Sequence, residues 1–321
     1  MQITVLAGGV GGARFVRGLR TAAPEAQLTV VGNTGDDIQL FGLHVSPDLD
    51  TVMYNLGGGF DDERGWGRSS ETFHLSEELA AYGAQPEWFS LGDRDLATHI
   101  VRTQMLDAGY PLSAVTAALC RRWQPGVELL PMTDDRVETH VVVELDGKRR
   151  AIHFQEWWVR LRASVPALDF VVVGAEDARP GPGVLAAIEG ADAVLLPPSN
   201  PVVSIGAILA VPGIADALRA TPAPVVGVSG IVGGKPLRGM ADACLAGIGV
   251  QATAAAVAAH YGARPVGILD GWVVDLADAT SVADVTAAGI ACRAADTIMS
   301  DGLRAADVAH AVLSLAADLR Q

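Results

Sequence analysis

The chain has 321 residues, half of them hydrophobic, and a formal net charge of −14. That length holds one large α/β domain or two smaller ones, with ample material for a core. The acidic balance speaks against a nucleic-acid binder, which would carry a basic stripe, and fits a soluble enzyme that gathers a few Lys and Arg in one cleft.

Residues 1–7 carry Ile3, Val5 and Leu6 and read as a buried first strand. No basic region precedes this apolar run, so it does not read as a signal peptide. The turn GGVGG follows at 8–12, then a helix over 13–22 with Phe15, Val16 and Leu19 on one face. Residues 28–31 form a second strand, and the unit is a βαβ with parallel strands. A helix is expected to open near Asp48. Residues 57–70 are a polar, glycine-rich loop. Helices are expected over 71–82, 93–109 and 112–122. In 93–109 the apolar Leu96, Ile100, Val101 and Met105 fall at helical spacing.

A hairpin is expected over 139–154, turning at Asp146-Gly147. Strands at 170–173, 193–196, 224–228, 271–275 and 289–292 alternate with helices at 182–189, 208–220 (broken near Pro212-Gly213), 244–259, 282–288 and 305–319. The alternation predicts a Rossmann-like, mostly parallel, doubly wound α/β sheet. Residues 1–321 read as one domain, with 60–165 as a largely helical insertion packed on the core. Cys120, Cys244 and Cys292 are unclustered and no CxxC occurs, which points to a reducing cytoplasm. No apolar run reaches the roughly 20 residues needed to span a bilayer.

Two stretches carry chemistry. The first glycine turn offers Gly8, Gly9, Gly11 and Gly12, but Arg14 stands where a dinucleotide fingerprint needs its third Gly or Ala, and no G-K-[ST] follows. What remains is a turn whose N–H groups, at a helix N-terminus, favour an anion; a plain tight turn is the alternative. The second is NTGDDIQLFGLHVSPDLDT, residues 33–51, with Asp36, Asp37, Asp48 and Asp50. Asp36 and Asp37 can cap a turn, and Asp48 can cap a helix. Alternatively, the i, i+2 pair Asp48 and Asp50 converges on a hard cation such as Mg²⁺, which bridges carboxylate to phosphate. Asp61 and Asp62 are weaker candidates for the same role.

Further along, Arg94 lies in the turn LGDRD after Ser90 and is a candidate anion clamp. Ser199, Asn200 and Ser204 lie past a strand's C-terminal end, where open α/β sheets bind ligands. Lys235 is either a phosphate partner or a solvated lysine. Trp157 and Trp158 either stack a flat ring or anchor a core.

These stretches together resemble the 2-phospho-L-lactate transferase family of deazaflavin coenzyme F(420) biosynthesis, over nearly the full length. The resemblance rests on GGxG, VxNTGDD, SPDLDT, GWG at 65–67, LGDRDxATH, LPMTDD, HFQEWW, PPSNPVVSIG and RAADTIM. It implies a Mg²⁺-dependent transferase. A guanosine diphosphate carries lactate, or in actinobacterial members enolpyruvate, on its outer phosphate. The ribityl hydroxyl of the deazaflavin precursor Fo attacks that phosphorus and GMP leaves. The Ala- and Gly-rich composition leans toward the enolpyruvyl donor.

By the same resemblance, Asp50 and Asp48 meet metal, phosphate and Fo, with Asp37 in support. Ser90 contacts Fo, the glycine turn and Asn33 hold phosphates, and Ser199, Asn200 and Ser204 hold guanosine. Arg94 or Lys235 helps the leaving phosphate, and a homodimer is implied. A family of nucleotide-sugar-binding regulators shares the GGxG and NxxDD turns and supplies the competing, non-catalytic reading.

Overall fold

The computed structural model describes residues 1–320. It opens with β1 (Gln2–Ala7), α1 (Gly9–Ala22) and β2 (Gln27–Gly32), with β1 and β2 parallel. Two short strands, β3 (Ile38–Leu40) and β4 (Leu43–Val45), precede four helices: α2 (Pro47–Leu56), α3 (His74–Ala81), α4 (Asp95–Asp107) and α5 (Leu112–Trp123). Next come β5 (Glu128–Pro131), β6 (Glu138–Leu145), β7 (Lys148–His153) and β8 (Asp169–Val173).

The second half runs α6 (Val184–Glu189), β9 (Ala193–Leu196), α7 (Ile205–Ala210), α8 (Ile214–Ala220), β10 (Val225–Val228), the small hairpin β11 (Ile231–Val232) and β12 (Lys235–Pro236), and α9 (Ala241–Gly247). It ends with α10 (Ala254–Tyr261), β13 (Gly271–Asp275), α11 (Ser281–Ala287), β14 (Ala291–Ala295) and α12 (Gly302–Asp318).

Seven strands form one sheet in the order β5-β2-β1-β9-β10-β13-β14. Every adjacent pair is parallel. Buried on both faces, the strands divide their side chains by period two. Ile3, Val5, Val30 and Leu195 pack with α1, α2, α5 and α12 on one face. Leu6, Val31, Val194 and Leu196 pack with α6, α7, α8, α10 and α11 on the other. This is the doubly wound α/β fold expected. Gly18 lets α1 meet α12, since a Cβ there would enter the backbone of Ala305. The chain leaves β1 toward β2 on one side and later returns as β9 on the other. The crevice beyond the C-terminal ends of β1 and β9 is therefore the topological switch point.

Residues 60–165 are not a single insertion. β5 lies within them and forms the sheet's edge beside β2, with Thr29 opposite Glu128. The span is two excursions: helices between β2 and β5, then the antiparallel sheet β7-β6-β8. The expected helix over 244–259 is two helices, because Gly249 at φ +73° lies in the turn between α9 and α10. Among the described residues no helix is long and apolar enough to cross a membrane.

Candidate active site

A cavity of about 1320 Å³ opens at the switch point. Its floor comprises Gly8, Gly9 and Gly11 at the start of α1, Asp36 after β2, Asp48 and Asp50 on α2, and Ser199, Asn200 and Ser204 after β9. Its upper walls include Arg64 and Trp66, Phe89 and Ser90, Trp158 and Arg162, and Arg238.

The glycine turn is glycine for close packing as much as for a ligand. A Cβ on Gly8 would land on Asp48 Oδ2 and lie 2.7 Å from Ser204 Cβ. One on Gly11 would enter the Pro198 carbonyl, and one on Gly12 would come 2.7 Å from Ser199 Oγ. Gly12 itself is buried outside the cavity wall. Ser199 stitches the two loops, accepting from Gly8 N at 3.2 Å and donating to Gly8 O at 2.8 Å. Asn200 turns its side-chain oxygen to Val202 N at 2.9 Å and Val203 N at 3.2 Å. The polar groups expected to hold guanosine are thus also the struts of the β9–α7 loop.

Ser46 precedes α2 as its N-cap and Pro47 opens the helix, placing Asp48 and Asp50 in the first turn, where the helix dipole favours carboxylates. They do not converge. Residues two apart on a helix point about 200° apart around its axis, and each finds its own partners. Asp48 Oδ2 accepts from Asn33 Nδ2 at 2.9 Å. Asp50 pairs with Arg102 and lies 3.7 Å from His99 Nδ1. Asp48 acts electrostatically on Asp36, and Asp37 is the carboxyl that acts on Asp48.

Burial, opposed by hydrogen bonds from Asn33, Gly9 and Ser204, raises Asp48 to about 6. Burial and the Asp48 charge push Asp36 well above the usual carboxylate range. Burial also raises Asp50, against the pull of Arg102 and His99. Three buried carboxyls that resist ionisation favour a proton or a cation. Among the described residues no group of three or more His, Cys, Asp or Glu is placed to hold a metal ion. Mg²⁺ fits such a place all the same, because it takes one or two carboxylates and draws its other ligands from water and phosphate.

The raised Asp48 has a consequence for stability. Its stabilising form is the protonated one, fully present below the unfolded value near 4 and lost as pH rises through about 6. The ligand-free protein is therefore expected to lose up to about 3 kcal/mol between pH 4 and pH 7 from this group. Asp48→Asn should lack that part of the slope in urea unfolding at pH 4.5 and pH 7.5. Equal slopes in the two proteins would remove the assignment.

Several expected site residues lie elsewhere. Asn33 is fully buried and outside the cavity wall; it positions Asp48 and is tied to Gly35 N and Val203 O. Asp37 faces away, its Oδ2 accepting from Ser46 Oγ at 2.7 Å and lying 2.8 Å from His44 Nε2. Arg94 is the exposed N-cap of α4, its N–H on Glu71 and its carbonyl taken by Arg68, so its guanidinium is no clamp in this cleft. Lys235 is exposed on β12 and outside the cavity wall. Asp62 reaches Arg14 and Arg17, each at 3.4 Å, and Asp61 reaches Arg64 at 3.2 Å, so both anchor the glycine-rich loop. The two tryptophans divide: Trp157 is core, donating to Val165 O at 2.8 Å, and Trp158 lines the cavity.

Other residues stand in their place. Arg14 and Arg238 both line the cavity. Burial and the Arg238 charge lower the Arg14 guanidinium, the mark of two cations sharing a site suited to an anion. Below them Asp95, His99 and Arg102 bury one face of α4. Burial works to raise Asp95, but His99 and Tyr54 outweigh it and hold the carboxyl below its usual range. The signal was present in the spacing 95, 99, 102, a polar stripe at i, i+4, i+7. Along the sequence Arg14 marks only an absent glycine; in the fold it is a cation on the first turns of α1 that lines the cavity.

The 2-phospho-L-lactate transferase CofD family model matches residues 3–309. The chain belongs to this family. Phosphoenolpyruvate transferase of Streptomyces coelicolor is 67% identical over 321 residues, covering all of both chains. The enzyme of that name from Thermobifida fusca is 63% identical, covering 100% of this chain and 99% of its own. The one from Mycobacterium avium is 57% identical, covering 98% and 99%. Among solved structures, protein BH3568 of Bacillus halodurans, a UPF0052 family member, superposes with a TM-score of 0.62 at 19% identity, covering 97% of this chain and 99% of that one. That likeness concerns the fold. CofD membership and these relatives make the chain a transferase.

Proposed function

We propose that this transferase moves the phosphoenolpyruvate moiety from a guanosine-diphosphate-linked donor to the ribityl hydroxyl of Fo, releasing GMP. The donor's lactyl counterpart is the alternative substrate; the names of the actinobacterial relatives favour enolpyruvyl. The observation that carries the reading is the buried carboxylate set, Asp36, Asp48 and Asp50, under one cavity with the N-terminus of α1 and the Arg14–Arg238 pair.

The residues divide the work. Arg14, Arg238 and the N–H groups at the start of α1 bind the donor's phosphates. Trp158 and the aromatic residues Phe89 and Trp66 offer faces for the deazaflavin ring. Asp48, with Asp36 joining it in place of Asp50, would hold Mg²⁺, which when bound would supply charge neutralisation to the phosphates. Asp50 orients the attacking hydroxyl and accepts its proton as the O–P bond forms and the P–O bond to GMP breaks. Displacement at phosphorus asks for positioning and charge compensation more than for a covalent nucleophile.

Incubating the protein with Fo, Mg²⁺ and equal amounts of the two donors is expected to release GMP, mostly from the enolpyruvyl donor. Tight sugar-nucleotide binding without GMP would instead support the regulator reading. A homodimer belongs to the same proposal. Ile100, Val101 and Tyr110 are exposed on α4 and the turn after it and offer an interface; a monomer in sedimentation would remove this part.

A further inference from the structure

α4 packs Met105 and Leu106 against the core, yet its fully buried side chains are polar. Its buried residues are Thr98, His99 and Arg102, while Ile100 and Val101 remain 37% and 42% exposed. A helix that served only to cover α2 would do so with its apolar side, since buried ion pairs contribute less than well-packed hydrophobics. The polar side is turned inward toward one group, Asp50.

The donors and acceptors along this contact have a fixed direction. Arg102 Nη2 donates to Asp50 Oδ1, and Nη1 lies 3.2 Å from His99 Nδ1 and donates to His44 O at 3.4 Å. A guanidinium only donates, so His99 Nδ1 is the acceptor and the neutral ring carries its proton on Nε2. Nε2 lies 3.4 Å from Asp95 Oδ2, an electrostatic contact without a hydrogen bond. Asp95 Oδ1 takes the Tyr54 hydroxyl, and the Asp95 backbone N–H is held by Glu71 Oε2 at 3.0 Å. The series Tyr54, Asp95, His99, Arg102, Asp50 thus runs from α2 through α4 and back to α2. Tyr54, His99 and Arg102 are each no more than 2% exposed. Asp50 Oδ2 is left without a hydrogen bond.

We infer that His99 is a positioning residue for Asp50, acting through Arg102, with Asp95 and Tyr54 holding its ring in the tautomer that turns Nδ1 to the guanidinium. His99 does not touch substrate. Its ring fixes the plane of the guanidinium, which in turn sets the Asp50 carboxylate. This rests on the proposal that Asp50 serves the attacking hydroxyl.

The test uses two variants that each keep one ring nitrogen's place. Asn places its amide near Nδ1 and preserves the partner of Arg102; Gln reaches toward Nε2 and preserves the partner of Asp95. His99→Asn is expected to keep kcat within about fivefold of the unsubstituted protein, and His99→Gln to lose about 10²-fold, the effect of a misplaced reacting group. KM for both substrates should stay within about threefold in each. A residue that merely fills space would give the opposite order, because Gln is closer to His in volume. Gln equal to or better than Asn in kcat, or losses that follow the melting temperatures alone, would overturn the inference. Should Asp50→Asn prove fully active, the reading of Asp50 fails first. Should Asp50→Asn be inactive while Gln outperforms Asn, the positioning role alone fails.

Discussion

Asp50→Asn is expected to lower kcat for GMP release by about 10²–10⁴-fold, the usual contribution of a positioned general base. The loss should appear in kcat with little change in either KM, because the carboxylate acts on the hydroxyl as it attacks. The variant should also melt earlier. Arg102 is 2% exposed and would lose its counter-charge, a cost of about 3–5 kcal/mol. Against a total stability of about 5–15 kcal/mol the protein remains folded in the cold. Full activity in this variant, measured below its melting transition, would take Asp50 out of the chemistry.

Arg102→Met is the second large effect, and it falls on stability. It leaves a buried carboxyl unpaired, again at about 3–5 kcal/mol near neutral pH. The sign of its pH dependence follows from Asp50. Burial already raises this group, and Arg102 is the largest influence lowering it. Without Arg102 the value rises further. Stability is then present below the unfolded carboxylate value and lost as pH rises through the raised one. The deficit of Arg102→Met should therefore be larger at pH 8 than at pH 5 in urea unfolding. The double variant Asp50→Asn, Arg102→Met removes both charges and should regain most of the stability while GMP release stays low. That outcome separates folding from chemistry; a double variant no more stable than either single one would contradict the pairing.

Much of this was legible along the chain because it is local. The parallel unit of β1, α1 and β2 follows from a short apolar run, a glycine turn and a helical stripe in about 30 residues. Asp48 and Asp50 could be placed at the start of a helix from SPDLDT alone. The break between α7 and α8 was announced by Pro212-Gly213, since Pro and Gly act on their own backbone. The family, too, was readable from short motifs spread over the length.

What needed the tertiary structure depends on partners far away in sequence. β5 is four residues, and only its pairing with β2 makes it part of the main sheet. The spacing of α4 was correct, yet Ile100 and Val101 of its apolar stripe face solvent while Met105 packs on the core. A helix with two unlike faces does not say which will be buried, and here the choice is made by Asp50, 52 positions before Arg102. For the same reason Arg94 could look like a clamp. The sequence by itself determined the β1-α1-β2 unit, the alternation of strands and helices, and that Asp48 and Asp50 open α2, because those follow from backbone propensity and burial pattern. The three-dimensional packing alone decided that Asp48 belongs with Asn33 and Asp36, and Asp50 with Arg102 and His99. Side chains two apart on one helix point different ways, and each takes the partner the fold brings to it.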